Sequence, residues 1–201
     1  MRGRLVGVTL TILVLTACGA GESVAPPGSP SAPASPAKAV PTIPRGALDG
    51  YVVRSHALDA TALAEASTDP STMTTLLADA GFETGSERRF TARWKPLTEV
   101  TTQVLRFDEA GGADAYLAWV RSHGDDLLGS GAGSSTPPDL PGAVAFVHVP
   151  CSGCTKDPLQ YLTVWTRGRY ALILLLGGAR AGRAAATPLA RDLDARVRME
   201  G

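Results

Sequence analysis

Seven of the 15 prolines in this chain of 201 residues fall between Gly19 and Gly46: Pro26, Pro27, Pro30, Pro33, Pro36, Pro41 and Pro44. Ser, Ala and Gly make up most of the rest of the stretch. Proline removes backbone donors and biases a chain toward extended polyproline II, so this segment has neither the hydrogen bonds nor the apolar side chains for a packed core. Fully extended at about 3.1 Å per residue, it reaches roughly 85 Å. Residues 18–46 are therefore expected to form a disordered, semi-rigid tether, in preference to a propeptide or a proline-motif ligand. Whatever folds must come from residues 47–201, about 155 residues. That is enough for one domain that buries most of its apolar surface.

The tether has an unusual head. Met1-Arg2-Gly3-Arg4 is basic, and Leu5 to Ala17 gives 13 residues without a charge. Such a run suits the apolar core of a signal peptide and is too short to cross a bilayer of about 30 Å. No run in the chain reaches the 18 apolar residues of a conventional membrane span. The segment ends in Leu15-Thr16-Ala17-Cys18, which resembles the lipobox of bacterial lipoproteins. The small Thr16 and Ala17 suit a narrow protease groove within the membrane, and a Cys is needed because its thiolate takes a diacylglyceryl group as a stable thioether. The resemblance implies that residues 1–17 are a signal peptide and that Cys18 becomes the acylated first residue of the mature chain. The protein is then held on the extracytoplasmic face of the cell membrane. Two acyl chains at about 0.8 kcal/mol per buried methylene suffice for stable anchoring.

Composition narrows the function classes. The 19 basic and 19 acidic residues balance, and 44% of the chain is hydrophobic. This excludes a strongly basic nucleic-acid binder and a wholly disordered chain. Arg2 and Arg4 are the only charged residues before Cys18, so cleavage leaves 17 basic against 19 acidic side chains, a net charge of −2 with no polybasic patch beside the anchor.

Within residues 47–201, Asp69-Pro70 predicts a capped helix carrying Met73, Leu76, Leu77 and Ala80 on one stripe, with Gly81 in the left-handed position that closes it. A short helix over residues 59–66 is expected before it. Strands are expected over 83–94 and 98–107, then a helix over 108–128 weakened at its start by Gly111 and Gly112. A Gly/Ser/Pro loop is expected over 129–141, then strands over 143–149, 159–166 and 169–176, the last two joined at Arg167-Gly168. The run over 143–149 and the Tyr170–Leu176 run are apolar on both alternating faces, as in a sheet covered on both sides. A closing helix is expected over 187–199. Strand runs joined by hairpins, with helices between them, predict an α+β domain with a mainly antiparallel sheet.

Ala80-Gly81-Phe82, Tyr116-Leu117-Ala118-Trp119, Cys151-Ser152-Gly153-Cys154 and Gly168-Arg169-Tyr170 together resemble uncharacterised lipoproteins of high-GC Gram-positive bacteria. The architecture is also similar to PsbP-like domains, which implies an accessory or interaction module.

Once Cys18 is acylated, Cys151 and Cys154 remain. In an exported protein such a pair is expected to form a disulfide, here one that fixes a tight loop on the sheet rim and contributes only about 2 kcal/mol. Two rival readings use the same residues. One is a thiol–disulfide exchange site, against which Pro158 and the following strand argue, because a reactive pair needs a helix N-terminus. The other is a Zn²⁺ or copper site with His148, for which no fourth ligand is evident. His56, His123 and His148 are the only histidines, and no GxSxG motif surrounds a serine. Ser134-Ser135 lie in the expected loop. The segment Gly177–Arg183, with Arg180 and Arg183, could greet an anion but reads first as a solvated loop, as do Arg88 and Arg89 at a strand edge. The expectation is a non-enzymatic module without cofactor or resident metal. Its partners are the membrane, through acylated Cys18, and an envelope protein or small apolar ligand.

Overall fold

The computed structural model describes residues 40–128, 131–150 and 158–200. The chain divides into two units, residues 1–37 and 38–201, and every described residue belongs to the second. Cys18, Cys151 and Cys154, and most of the tether, lie outside the described residues.

The elements run β1 (Val52–Leu58), α1 (Ala60–Glu65), α2 (Pro70–Asp79), β2 (Phe82–Thr91), β3 (Glu99–Phe107), α3 (Ala110–Leu128), β4 (Ala132–Ser135), β5 (Val144–His148), β6 (Gln160–Arg167), β7 (Tyr170–Gly177) and α4 (Arg183–Glu200). The strands form one open sheet in the order β1-β2-β3-β7-β6-β5-β4, and every neighbouring pair is antiparallel. The domain is α+β, as the pattern of hairpins predicts.

Alternation along the central strands creates two cores. Val100 and Val104 of β3, Tyr161 and Trp165 of β6, and Leu172, Leu174 and Leu176 of β7 face α4, meeting Ala186, Ala190, Leu193 and Val197. On the other face, Leu105, Phe107, Leu162, Val164, Ala171 and Ile173 meet Ala64 of α1, Met73 and Leu77 of α2, and Ala113, Tyr116, Leu117 and Val120 of α3. Both cores are built from residues between Ile43 and Val197, so a fragment spanning 38–201 contains what a domain of its size needs to fold alone.

The helix at Asp69 forms as its sequence requires. The Asp69 carboxylate accepts from the Thr72 amide at 3.1 Å and from the Ser71 and Thr72 hydroxyls at 2.7 Å each. Bonds from the Thr72 side chain and backbone, then from Ser71, lower its pKa to about 2. Gly81 follows with φ +66°, and Gly168 turns the β6–β7 hairpin with φ +51°.

Three stretches differ from the sequence expectation. β1 was not anticipated. It is an edge strand paired only with β2 and mostly exposed, so no burial signal marks it. Residues 129–141, expected as a loop, contain β4, a four-residue edge strand in which Ser134 and Ser135 pair with Phe146 and Ala145. Pairing outweighs the poor strand propensity of Gly and Ser there. α4 starts at Arg183, ahead of the expected start at Thr187, with Pro188 inside the helix, and Ala184–Ala186 supply strong helix formers before it. The packed chain also reaches into the segment read as tether: Ile43 is fully buried and Val40 packs against the same core.

Candidate functional site

The face of the sheet under α1–α3 changes character from one side to the other. Residues in register point to the same side. One row reads Arg54, Arg89, Thr101, Leu175 and Leu162, and the next reads His56, Glu87, Gln103, Ile173 and Val164. Each row is polar over β1 and β2 and apolar over β7 and β6. At that boundary, beside the turn that follows α1, lies a cleft of about 160 Å³.

Leu63 and Met73 on the helix side, and Leu162, Ile173 and Leu175 on the sheet side, form its apolar walls. Leu127 and Tyr116 of α3 complete them. Tyr116 is almost fully buried, and desolvation pushes its phenol far above the ordinary value, so the ring is a neutral group at any physiological pH. Ser67, Thr101 and Gln103 supply the polar lining. The Ser67 Oγ is screened from solvent and has no hydrogen-bond partner among the described residues. The Thr101 hydroxyl donates to Glu99 Oε1 at 3.0 Å, and Gln103 Nε2 donates to Glu87 Oε2 at 2.8 Å. Arg89 in turn pairs with Glu99 at 2.9 Å.

The lining can bind but has little with which to react. Among the described residues, Tyr116 is the only titratable side chain in it, and its phenol is held neutral, so none of them exchanges a proton there near pH 7. The volume resembles that of a cavity of about 150 Å³ known to admit benzene. A six-membered ring or a short aliphatic segment fits.

Those of the residues singled out from sequence that are described are not assembled into this site. His56 is on β1, His123 on α3 and His148 on β5. His123 stacks on Trp119 at 4.8 Å, and its Nδ1 lies 3.0 Å from the Trp119 carbonyl oxygen. Among the described residues, no three His, Cys, Asp or Glu side chains group as metal ligands. Arg183 is exposed, as expected, and pairs at the surface with Asp139. Arg88 is not a free edge arginine either: its guanidinium donates to Ser55 Oγ at 3.1 Å and to the Ile43 carbonyl. Desolvation, then the neighbouring Arg45, lowers its pKa. Arg89 holds Glu99. The cleft itself escaped sequence reasoning, although Thr101-x-Gln103-x-Leu105-x-Phe107 carries a signal for it. A strand face that is half polar and half apolar marks the edge of a helix cover.

Among the described residues, no helix is long and apolar enough to cross a membrane. No family model and no curated protein matches the chain. Among solved structures it is similar to the extracellular domain of PknH from Mycobacterium tuberculosis, at a TM-score of 0.45 and 10% identity over 74% of this chain and 82% of that one. At that level the likeness carries no argument about function.

Proposed function

We propose that this chain is an extracytoplasmic envelope lipoprotein, anchored through acylated Cys18, whose α+β domain is a non-enzymatic binding module for a small apolar ligand or the apolar end of a larger one. The cleft carries this reading: apolar walls, an unpartnered hydroxyl and, among the described residues, no titrating group that could serve as acid or base near neutral pH. The anchor rests on the Leu15-Thr16-Ala17-Cys18 motif. A thiol–disulfide or metal role would depend on Cys151 and Cys154, and no observation favours either.

Indole is a suitable probe, because its flat apolar ring suits the volume and walls of the cleft. Titrating the 38–201 fragment with indole by methyl NMR should give saturable shifts at Leu63, Met73, Ile173 and Leu175, with a Kd on the order of 1 mM or tighter. Leu175→Trp, which fills the cleft from its half-buried rim, should weaken binding about tenfold while the fragment stays folded. Absent or scattered shifts, or undiminished binding by Leu175→Trp, would count against the cleft as the site.

A further inference from the structure

The tip of the β2–β3 hairpin displays an indole to solvent on a rigid support. Trp94 is 87% exposed. Its loop is braced from several sides: the Ala92 amide donates to the Thr98 carbonyl at 2.9 Å, and the Thr98 amide to the Gly177 carbonyl at 2.8 Å. The Tyr51 hydroxyl donates to the Leu97 carbonyl at 2.8 Å, and the Arg180 amide to the Pro96 carbonyl at 3.1 Å. Gly178, at φ +124°, packs so close that a Cβ there would lie 2.6 Å from the Pro96 oxygen.

One cation lies against the indole, and two more stand on the same loop cluster. The Arg93 guanidinium sits 5.1 Å from the Trp94 ring centroid, and the Lys95 ammonium sits 5.0 Å from that of Tyr51. Exposed Arg180 adjoins them on the β7–α4 connection. The nearby carboxylates are Asp49, on the turn whose carbonyl Lys95 contacts, and Glu99, which is engaged by Arg89 and Thr101. Val52, 65% exposed, lies in the register row next to the tip.

We propose that this tip is a second, non-covalent contact with an anionic lipid surface. Trp94 seats in the headgroup region, and Arg93, Lys95 and Arg180 face lipid phosphates. Tryptophan favours that interface, and each basic side chain adds attraction to anionic lipid. A single hairpin tip is too small to supply the roughly 800 Å² per partner of a stable protein interface. A bilayer, by contrast, rewards individual side chains. The contact does not depend on what enters the cleft, and its test needs no acylated Cys18.

The test is co-sedimentation of the 38–201 fragment with vesicles of mixed phosphatidylglycerol and phosphatidylcholine at low salt, with brominated lipid as a quencher of tryptophan emission. The fragment should bind, with a blue-shifted and quenched emission, and should bind pure phosphatidylcholine at least tenfold more weakly. Trp94→Ala should abolish the quenching. Arg93→Gln and Lys95→Gln should each weaken partitioning about fivefold. Failure to sediment with anionic vesicles would overturn the proposal and leave Trp94 as a contact for protein. Equal binding to neutral vesicles, or unchanged binding by these variants, would overturn it as well.

Discussion

Replacing Asp194 with alanine should destabilise the domain by about 3–5 kcal/mol in urea denaturation. This carboxylate is only 2% exposed, yet it joins α4 to β6. It accepts from Trp165 Nε1 at 3.1 Å, from the Arg167 guanidinium, and from Arg198 Nη2 at 2.6 Å. Its removal leaves the buried indole N–H without an acceptor and a largely buried Arg167 without a counter-charge, both costly in a low-dielectric setting. Arg198→Ala, at a side chain 62% exposed, should cost less than about 1 kcal/mol. Equal losses for the two variants would contradict this account of how α4 is held.

The Asp194 pair also has a pH signature. Burial pulls its pKa upward, but hydrogen bonds from Arg167, Arg198 and Trp165, with the charge of Arg167, outweigh that and hold it below the ordinary 3.8. Because the native value is the depressed one, the stabilisation is complete above the unfolded-state value near pH 4 and fades as pH falls through the native value. The stability gap between wild type and Asp194→Ala should therefore narrow on acidification below about pH 4.

The same substitution at two adjacent glycines should act in opposite directions. A Cβ at Gly112 would lie 1.9 Å from the Ala80 carbonyl oxygen, whereas one at Gly111 would meet nothing within 4 Å. Gly112 is what lets the first turn of α3 approach the end of α2. Gly112→Ala should cost about 2–3 kcal/mol, because backbone must move to make room. Gly111→Ala should stabilise by about 0.5 kcal/mol through helix propensity alone. Matched effects at the two positions would show that the approach of α3 to α2 is not a constraint.

From sequence, both glycines look alike, as residues that weaken a helix start; only the packing of α3 against α2 separates them. The legible parts of the fold are those where local chemistry decides. Asp69-Pro70 and Gly81 bracket α2, Arg167-Gly168 turns a hairpin, and the doubly apolar run of β7 announces a sheet covered on both faces. The hidden parts depend on partners distant in sequence. β1 and β4 exist because β2 and β5 offer free edges. Ile43 is core because the sheet offers it a place, whatever the prolines on either side suggest. The cleft falls in the same class: Ser67 and Leu127 line it together although they are far apart in sequence, and no local pattern joins them. The exposed Trp94 is hidden for a related reason: the sequence pattern carries the strand on to residue 94, whereas β2 ends at Thr91 and leaves Trp94 in the connection.

The domain places two features where a tethered envelope protein could use them, a ring-sized cleft beneath its helices and a cationic, Trp-bearing tip. Both gain their biological meaning from the proposed anchor, which makes mass spectrometry of the membrane-extracted mature protein the most direct measurement. The N-terminal residue should be Cys18, carrying a diacylglyceryl thioether, and Cys18→Ala should abolish incorporation of labelled fatty acid. A mature chain that begins at any other residue, or a Cys18 with a free thiol, would contradict the assignment to the membrane surface.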